Sequence, residues 1–446
     1  MRITITDSES FSSVFENITD EKLHRPVTGI TTDSRDLKNG DLYIALQGEN
    51  FNGHSFLNEV SQSGAAAALV SEDDTELDLQ QIVVEDILCT IERIACDWRK
   101  KFKIPIIAIT GSNGKTSTKD LLSHVLSEKY NVHVTKGNYN TKIGLSLTLL
   151  ELNESHTVSI IEMGASLPGE IEALCNIADP THGLITNIAP AHLEGFGSIE
   201  NIVYEKAALF RSIKNGICFV NNTDKYISDM PINGKKVTYG LTADCDFPAD
   251  IYHEDDGTLT LILNQNVIPT KSYNLSFLKN CIAVITVSIV LEVDLRSIIS
   301  QVQSFVTPPG RCEVKQINDI TIIDDTYNAN LTSSLAALEY LNAFSGAGKK
   351  IFIFGDMLEL GTKSKEQHQK IGKKCSELNL DIVYTIGEDT KYTDSVISNE
   401  IDHRHFQSKN KLIESIKNII NSGDKILFKG SRGMNMERII SRVFQI

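Results

Sequence analysis

Hydrophobic and polar positions along the chain alternate between short apolar runs and stretches of helical period, separated by polar loops that carry glycine. The run at 104–110, IPIIAIT, is apolar and β-branched, the pattern of a strand buried on both faces in a parallel sheet. A tight glycine turn follows, and Thr116, Ser117 and Thr118 open an amphipathic helix. Runs at 132–135, 158–161, 184–188 and 217–221 predict further strands, with helices after Gly144 and over 201–213. Upstream, strands are expected at 27–35, 41–46 and 65–70, a glycine-punctuated loop at 48–54 and a helix at 56–64. Residues 237–274 read as short strands with turns at 255–257 and at Asn264, and 281–304 as one apolar helical stretch. From 320 onward, strands at 320–323, 350–354, 382–386 and 425–429 alternate with helices at 333–344, 365–378 and 409–420, which predicts a doubly wound parallel sheet.

Two breaks divide this pattern. A charged helix over 91–103 is stopped by Ile104-Pro105, and Val306-Thr307-Pro308-Pro309-Gly310-Arg311 cannot continue a helix. A chain of 446 residues also exceeds what one core accommodates. The expectation is an α/β protein of three domains. A small α/β N-terminal domain occupies 1–100 and a central P-loop-type ATPase domain with a mainly parallel sheet 101–306. A C-terminal Rossmann-like, doubly wound domain occupies 307–446, without a Gly-x-Gly-x-x-Gly after its first strand. The breaks near 100 and at 306–311 are expected hinges.

Composition narrows the function. Hydrophobic residues make up 41% and charged residues 23%, ordinary for a globular protein. A formal net charge of −15 repels a phosphate backbone, so no nucleic acid is expected as partner. No apolar run approaches the roughly 20 residues a membrane span needs, and the opening MRITITDSESF lacks the basic-then-apolar order of a signal peptide. Eight cysteines without a C-x-x-C pair predict reduced thiols in a cytoplasmic protein.

The chemistry starts at Thr110-Gly111-Ser112-Asn113-Gly114-Lys115-Thr116-Ser117. Strand, glycine loop and helix N-terminus together form an anion site, where free N–H groups and the helix dipole converge on a phosphate. Lys115 would reach the terminal phosphates and the Thr116 hydroxyl a Mg2+ ion. The full G-x-x-x-x-G-K-[ST] pattern is not met, because Ile109 stands where it wants glycine. Glu162, at the end of the 158–161 strand, is placed to hold a metal, or is a solvated turn residue. His192, beyond the 184–188 strand end, falls at the same end of the sheet. Lys206 lies among Val203, Ala207, Ala208 and Phe210, either buried for a purpose or an ordinary surface lysine. Ser34, Arg35, Asn52 and His54 stand in loops at strand ends, as ligand contacts or as turn caps. A phosphate loop between two further α/β units suits a nucleotide-driven ligase with more than one substrate, and no N-K-x-D motif of a switch GTPase is present in the central part.

Nine ordered stretches carry a resemblance: DSRDLKNGDLYIALQGENFNGHSF, TGSNGKTST, GNYNTKIGLSLTLL, EMGAS, TNIAPAHLEGFGSIENIVYEKAALF, PPGR, DDTYNAN, FGDMLELG and KGSRGMNME. Over nearly its whole length the chain resembles the Mur ligases of peptidoglycan synthesis. The resemblance implies an ATP-dependent ligase that joins D-alanyl-D-alanine to UDP-MurNAc-tripeptide through an acyl phosphate. DDTYNAN, GDMLELG and KGSR favour that step over addition of the third amino acid, and the D-N-P-R motif of the diaminopimelate-adding enzyme is absent.

By the same resemblance, Lys115, His192 and Lys206 are catalytic. Gly111, Ser112, Asn113, Gly114, Lys115, Thr116, Ser117, Arg311, Asp325 and Asn328 would bind ATP. Thr116, Glu162, His192 and Lys206 would hold two Mg2+ ions, with Lys206 N6-carboxylated. Ser34, Arg35, Asn138, Asn140, Thr141, Lys429, Ser431 and Arg432 would face substrate, and Tyr327 and Asn330 belong to the matching third-domain motif. A monomer is expected. The chain departs from the family pattern at Thr141, at Leu331, and at Leu275-Ser276-Phe277 in place of G-x-H-N. The alternatives are the sister ligase adding the third residue, another ligase of the superfamily, or a catalytically silent binding relative.

Overall fold

The computed structural model describes residues 1–48, 51–255 and 257–446. Glu49 and Asn50 of the glycine-punctuated loop and Asp256 of the 255–257 turn lie outside the described residues. Three main sheets follow one another along the chain, joined by helices, of which Lys142–Leu150 and Leu275–Val290 are buried on all sides over 144–150 and 281–288.

The first sheet runs Arg2–Thr4, Gly29–Thr31, Asp41–Ile44, Ala67–Val70, Gln81–Val83, parallel except for its first strand. That first strand and the helix Ser8–Thr19, capped by Asp7, escape sequence reading because neither carries a long apolar run. Phe11 and Phe15 of this helix pack near Trp98 of the helix Ile87–Lys100. Trp98 Nε1 donates to Leu152 O (3.1 Å) and Arg99 donates to the carbonyls of Ala178 and Asp179, so this helix docks on the second layer.

The second sheet has nine strands. Seven are parallel, in the order Phe247–His253, Lys235–Gly240, Ile217–Asn221, His182–Ile185, Ile106–Thr110, Val158–Glu162, Val132–Val134. An antiparallel pair, Leu259–Leu263 and Asn266–Ser272, extends its edge. The β-branched run of the phosphate-loop strand is buried throughout, as a central parallel strand with helices on both faces requires. The single helix expected over 281–304 is instead two, Leu275–Val290 and Leu295–Ser304. Glu292, at φ +58°, leaves the helical path, and Asp294 caps the second helix on the N–H groups of Arg296 and Ser297.

The third sheet runs Glu313–Ile317, Ile320–Asp325, Lys425–Lys429, Lys350–Gly355, Ile382–Ile386, Asp402–Phe406, parallel except for its first strand. Its polar loops follow the carboxyl ends of the strands, facing the second sheet's phosphate loop across a cleft. No helix among the described residues is long and apolar enough to cross a membrane.

Candidate active site

The cleft has a volume of about 810 Å3. On one wall, hydrogen bonds and close packing fix the phosphate loop. Gly111 has φ +147°, and a Cβ there would lie 2.0 Å from Thr186 Oγ1, so only glycine fits. Gly114, at φ +78°, starts the helix Lys115–Leu126. Between them, Ser112 N donates to Asn187 O (2.9 Å) and Asn113 N to Asn187 Oδ1 (3.1 Å). Lys115 Nζ folds back onto Gly111 O at 2.7 Å. Burial lowers its pKa, and the nearby Glu162 charge opposes that shift. A half-buried ammonium held by the Gly111 and Ser112 carbonyls, beside a helix N-terminus, is an arrangement that an oligophosphate satisfies.

Glu162 ends the strand next to the phosphate strand, opposite Ile109 in register, and is 1% exposed. Its Oε1 accepts from Asn140 Nδ2 at 2.8 Å; its Oε2 has no hydrogen-bond partner. The carboxylate lines the cleft with the Thr116 hydroxyl, which accepts from Arg311 Nη2 at 2.9 Å. A buried carboxylate oxygen without a hydrogen bond, with Lys119 Nζ as an ionic neighbour at 3.9 Å, is costly and fits a hard divalent cation. Among the described residues no three His, Cys, Asp or Glu side chains gather to hold a metal unaided. One carboxylate, one hydroxyl and substrate phosphate oxygens are the donor set Mg2+ prefers.

The opposite wall comes from the third sheet. The Arg311 guanidinium lies over the Tyr327 ring at 3.8 Å. Asp325 and Lys429, partners in strand register, form an ion pair; Lys429 Nζ also donates to Asn328 O (3.1 Å). Asn330 caps the helix Leu331–Ala343 through Ser333 N and extends its Nδ2 to Asn113 Oδ1 at 2.6 Å. Arg311 and Asn330 thus bring the third sheet's loops onto the phosphate loop.

The other expected residues divide between the cleft and its surroundings. His192 lines the cleft at φ +53°, but its Nδ1 pairs with Glu359 of the third unit, and Glu194 N donates to Glu359 O at 3.2 Å. Lys206 is 3% exposed and does not line the cleft; no hydrogen bond or ion pair reaches its amine among the described residues. Burial, then the Lys115 charge, brings its pKa down to about 7. Asn138, Asn140 and Thr141 line the cleft. Ser34 and Arg35 stay on the first sheet, where Ser34 Oγ donates to Glu59 Oε2 (3.3 Å) and Arg35 pairs with Asp33 (2.6 Å). Asn52 Oδ1 accepts from His54 N at 3.0 Å, and His54 Nε2 accepts from Ser71 N at 3.0 Å. Ser431 is buried, accepting from Leu358 N (2.8 Å), and Arg432 pairs with Glu437 (3.3 Å); neither lines the cleft.

Sequence reading missed Thr186 and Asn187, which fix the phosphate loop, and Asn280, whose amide abuts Gly114. It also missed Lys119 and Glu359. Lys119 had a signal, standing one helical turn after Lys115; Glu359 had only its place in FGDMLELG. At the departure Leu275-Ser276-Phe277 a helix begins, Asn274 capping Phe277 N at 3.1 Å, and Phe277 stacks on Phe305.

Family models match in the order of the three sheets: "Mur ligase family, catalytic domain" over residues 26–95, "Mur ligase middle domain" over 109–287, and "Mur ligase, glutamate ligase domain" over 310–432. The chain belongs to the Mur ligase family. Within it, the chain is 35% identical to the UDP-N-acetylmuramoyl-tripeptide–D-alanyl-D-alanine ligase of Synechocystis, over 94% of this chain and 92% of that one. MurF from Acinetobacter baumannii superposes with a TM-score of 0.89 at 27% identity, covering 100% of this chain and 99% of that one. The MurF ligase of Thermotoga maritima, solved in complex with ADP, superposes with a TM-score of 0.82 at 29% identity, covering 93% and 97%.

Proposed function

We propose that the chain joins D-alanyl-D-alanine to UDP-N-acetylmuramoyl-tripeptide at the expense of ATP, a step of peptidoglycan synthesis. The observation that carries this reading is the cleft itself, where Arg311 and Asn330 of the third sheet meet a phosphate loop beside the unpaired oxygen of Glu162. The activity of the relatives supplies the substrates.

In this reading ATP phosphates lie on the loop N–H groups of 111–117, and Lys115 exchanges the Gly111 carbonyl for them. The tripeptide's terminal carboxylate oxygen attacks the γ-phosphorus, ADP leaves, and an acyl phosphate forms. The amino group of D-Ala-D-Ala attacks its carbonyl carbon and loses a proton, and the tetrahedral intermediate expels phosphate. Lys115 and Arg311 offset the charge that moves onto the β–γ bridging oxygen. Asn138, Asn140 and Thr141 border the γ-phosphate and acceptor. Asp325 and Asn328 face the nucleotide. Lys429, Ser431 and Arg432 belong to the substrate-side loop, and Ser34 and Arg35 to the UDP end. Thr116, Glu162, His192 and N6-carboxylated Lys206 would hold two Mg2+ ions, which would supply charge neutralisation at the phosphate oxygens. A neutral lysine amine adds to CO2, and the Lys206 pKa of about 7 makes that form abundant at neutral pH. The reading includes a monomer with boundaries at 100 and 306, at work in the cytoplasm. All eight thiols are free, which suits a reducing compartment.

The test is phosphate release from MgATP and UDP-MurNAc-tripeptide with and without D-Ala-D-Ala. Release that requires the dipeptide, and that single amino acids do not support, is expected. Release with a single amino acid would move the assignment to the ligase adding the third residue. No release with any pair, in folded protein, would point to a silent relative.

A further inference from the structure

Lys119 is 1% exposed, among the most deeply buried large side chains of the molecule. It stands one turn after Lys115 on the phosphate-loop helix. Its Nζ donates to Thr135 O at 2.8 Å and Gly137 O at 3.1 Å. Asp120 Oδ1 is 3.1 Å away, and the unpaired Oε2 of Glu162 3.9 Å away. A buried ammonium costs several kcal/mol unless paired, so its place here needs a counter-charge and a reason.

We propose that Lys119 is a positioning residue of the ligation site, the resident counter-cation of Glu162. It balances the carboxylate while the cation position is empty, and it sets how tightly a divalent cation is held once there. The inference rests on the reading of Glu162 as a cation ligand. The geometry is specific: two carbonyls and Asp120 hold the ammonium beyond contact distance of Oε2, so it neutralises the carboxylate without occupying its free oxygen. The same ammonium ties the turn at 135–137 to the phosphate-loop helix. That turn leads to Asn140, which clamps Oε1 of the same carboxylate. When a divalent cation arrives, Lys119 remains as a like charge nearby and weakens its hold, which favours release of the metal with product. Asp120, 30% exposed at its side chain, partly offsets that repulsion.

Direct binding of Mn2+ to the full chain without nucleotide, followed by electron paramagnetic resonance, tests this apart from turnover. Glu162→Gln identifies the binding that belongs to this site. Lys119→Met removes the like charge and should tighten Glu162-dependent Mn2+ binding about tenfold. Asp120→Asn frees the Lys119 charge and should weaken it about threefold. Lys119→Arg, which keeps the charge, should stay within about twofold of the parent. Opposite shifts in the first two variants are not produced by a packing role. Should Lys119→Met not fold, Asp120→Asn and Lys119→Arg still decide the matter. Unchanged or same-direction shifts overturn the role of Lys119. Loss of no Mn2+ binding in Glu162→Gln overturns the cation reading beneath it.

Discussion

Lys206 offers a prediction whose size follows from burial. Its ammonium is held at about 7 against an ordinary 10.5, because burial and then the Lys115 charge outweigh the opposing pull of the Glu205 carboxylate. Half of the amine is therefore unprotonated at pH 7, against about one part in three thousand for a free lysine. That is roughly a thousandfold more of the form that attacks CO2, releasing a proton and leaving a carbamate anion. The cost to the buried ammonium is about 5 kcal/mol. Its sign is fixed by linkage. The folded pKa lies below the unfolded one, so between about 7 and 10.5 the unfolded chain binds more protons and stability rises with pH. This group contributes up to about 1.4 kcal/mol per pH unit there and nothing below about 6. The assay is carbon NMR with 13C-bicarbonate, comparing the parent with Lys206→Met. A carbamate signal is expected in the parent only. Urea denaturation in bicarbonate-free buffer should show the rise in stability from pH 7 to 9, and bicarbonate or Lys206→Met should flatten it. No carbamate signal in the parent, or an equal one in both chains, would refute the argument.

Three further outcomes follow from the geometry. Glu162→Gln keeps the Asn140 contact but removes the charge, so Mg2+-dependent phosphate release should fall about 100-fold while circular dichroism stays unchanged; retention of the parental rate speaks against a cation ligand. Gly111→Ala places a Cβ 2.0 Å from Thr186 Oγ1 at a φ closed to alanine, and ATP binding by calorimetry should be lost; parental affinity would show that the loop can move. Arg2→Ala leaves Asp41, 0% exposed and held by two hydrogen bonds from Arg2 at 2.7 and 2.8 Å, without its cation, and should cost about 3 kcal/mol in urea denaturation; an unchanged midpoint would count against a buried pair.

Much of the architecture was legible because its causes are local. Apolar β-branched runs marked the parallel strands, and strand–helix alternation marked the third sheet, since burial on both faces admits little else. Weak signals failed. The edge strands Arg2–Thr4 and Glu313–Ile317 carry too few apolar residues to announce themselves, and the break at Glu292 lies in a stretch that is apolar on both sides. Of the site, the glycine turn and helix start at 111–117 were legible, since Gly111 and Gly114 answer to backbone angles and Lys115 to helix position, whereas Thr186 and Asn187, which hold that turn, were not.

The sequence by itself determined the three α/β units, the phosphate loop and the identity of Glu162, His192 and Lys206 as residues to watch. Tertiary structure alone decided what those residues touch. Asn140 and Lys119 flank Glu162, Arg311 reaches Thr116 across 195 positions, Asn330 reaches Asn113 across 217, and Glu359 meets His192. The physical reason is that a turn or helix cap is settled by a few neighbouring dihedral angles. A buried charge, by contrast, is settled by whichever groups the packed sheets bring to it, and those lie far apart in the chain.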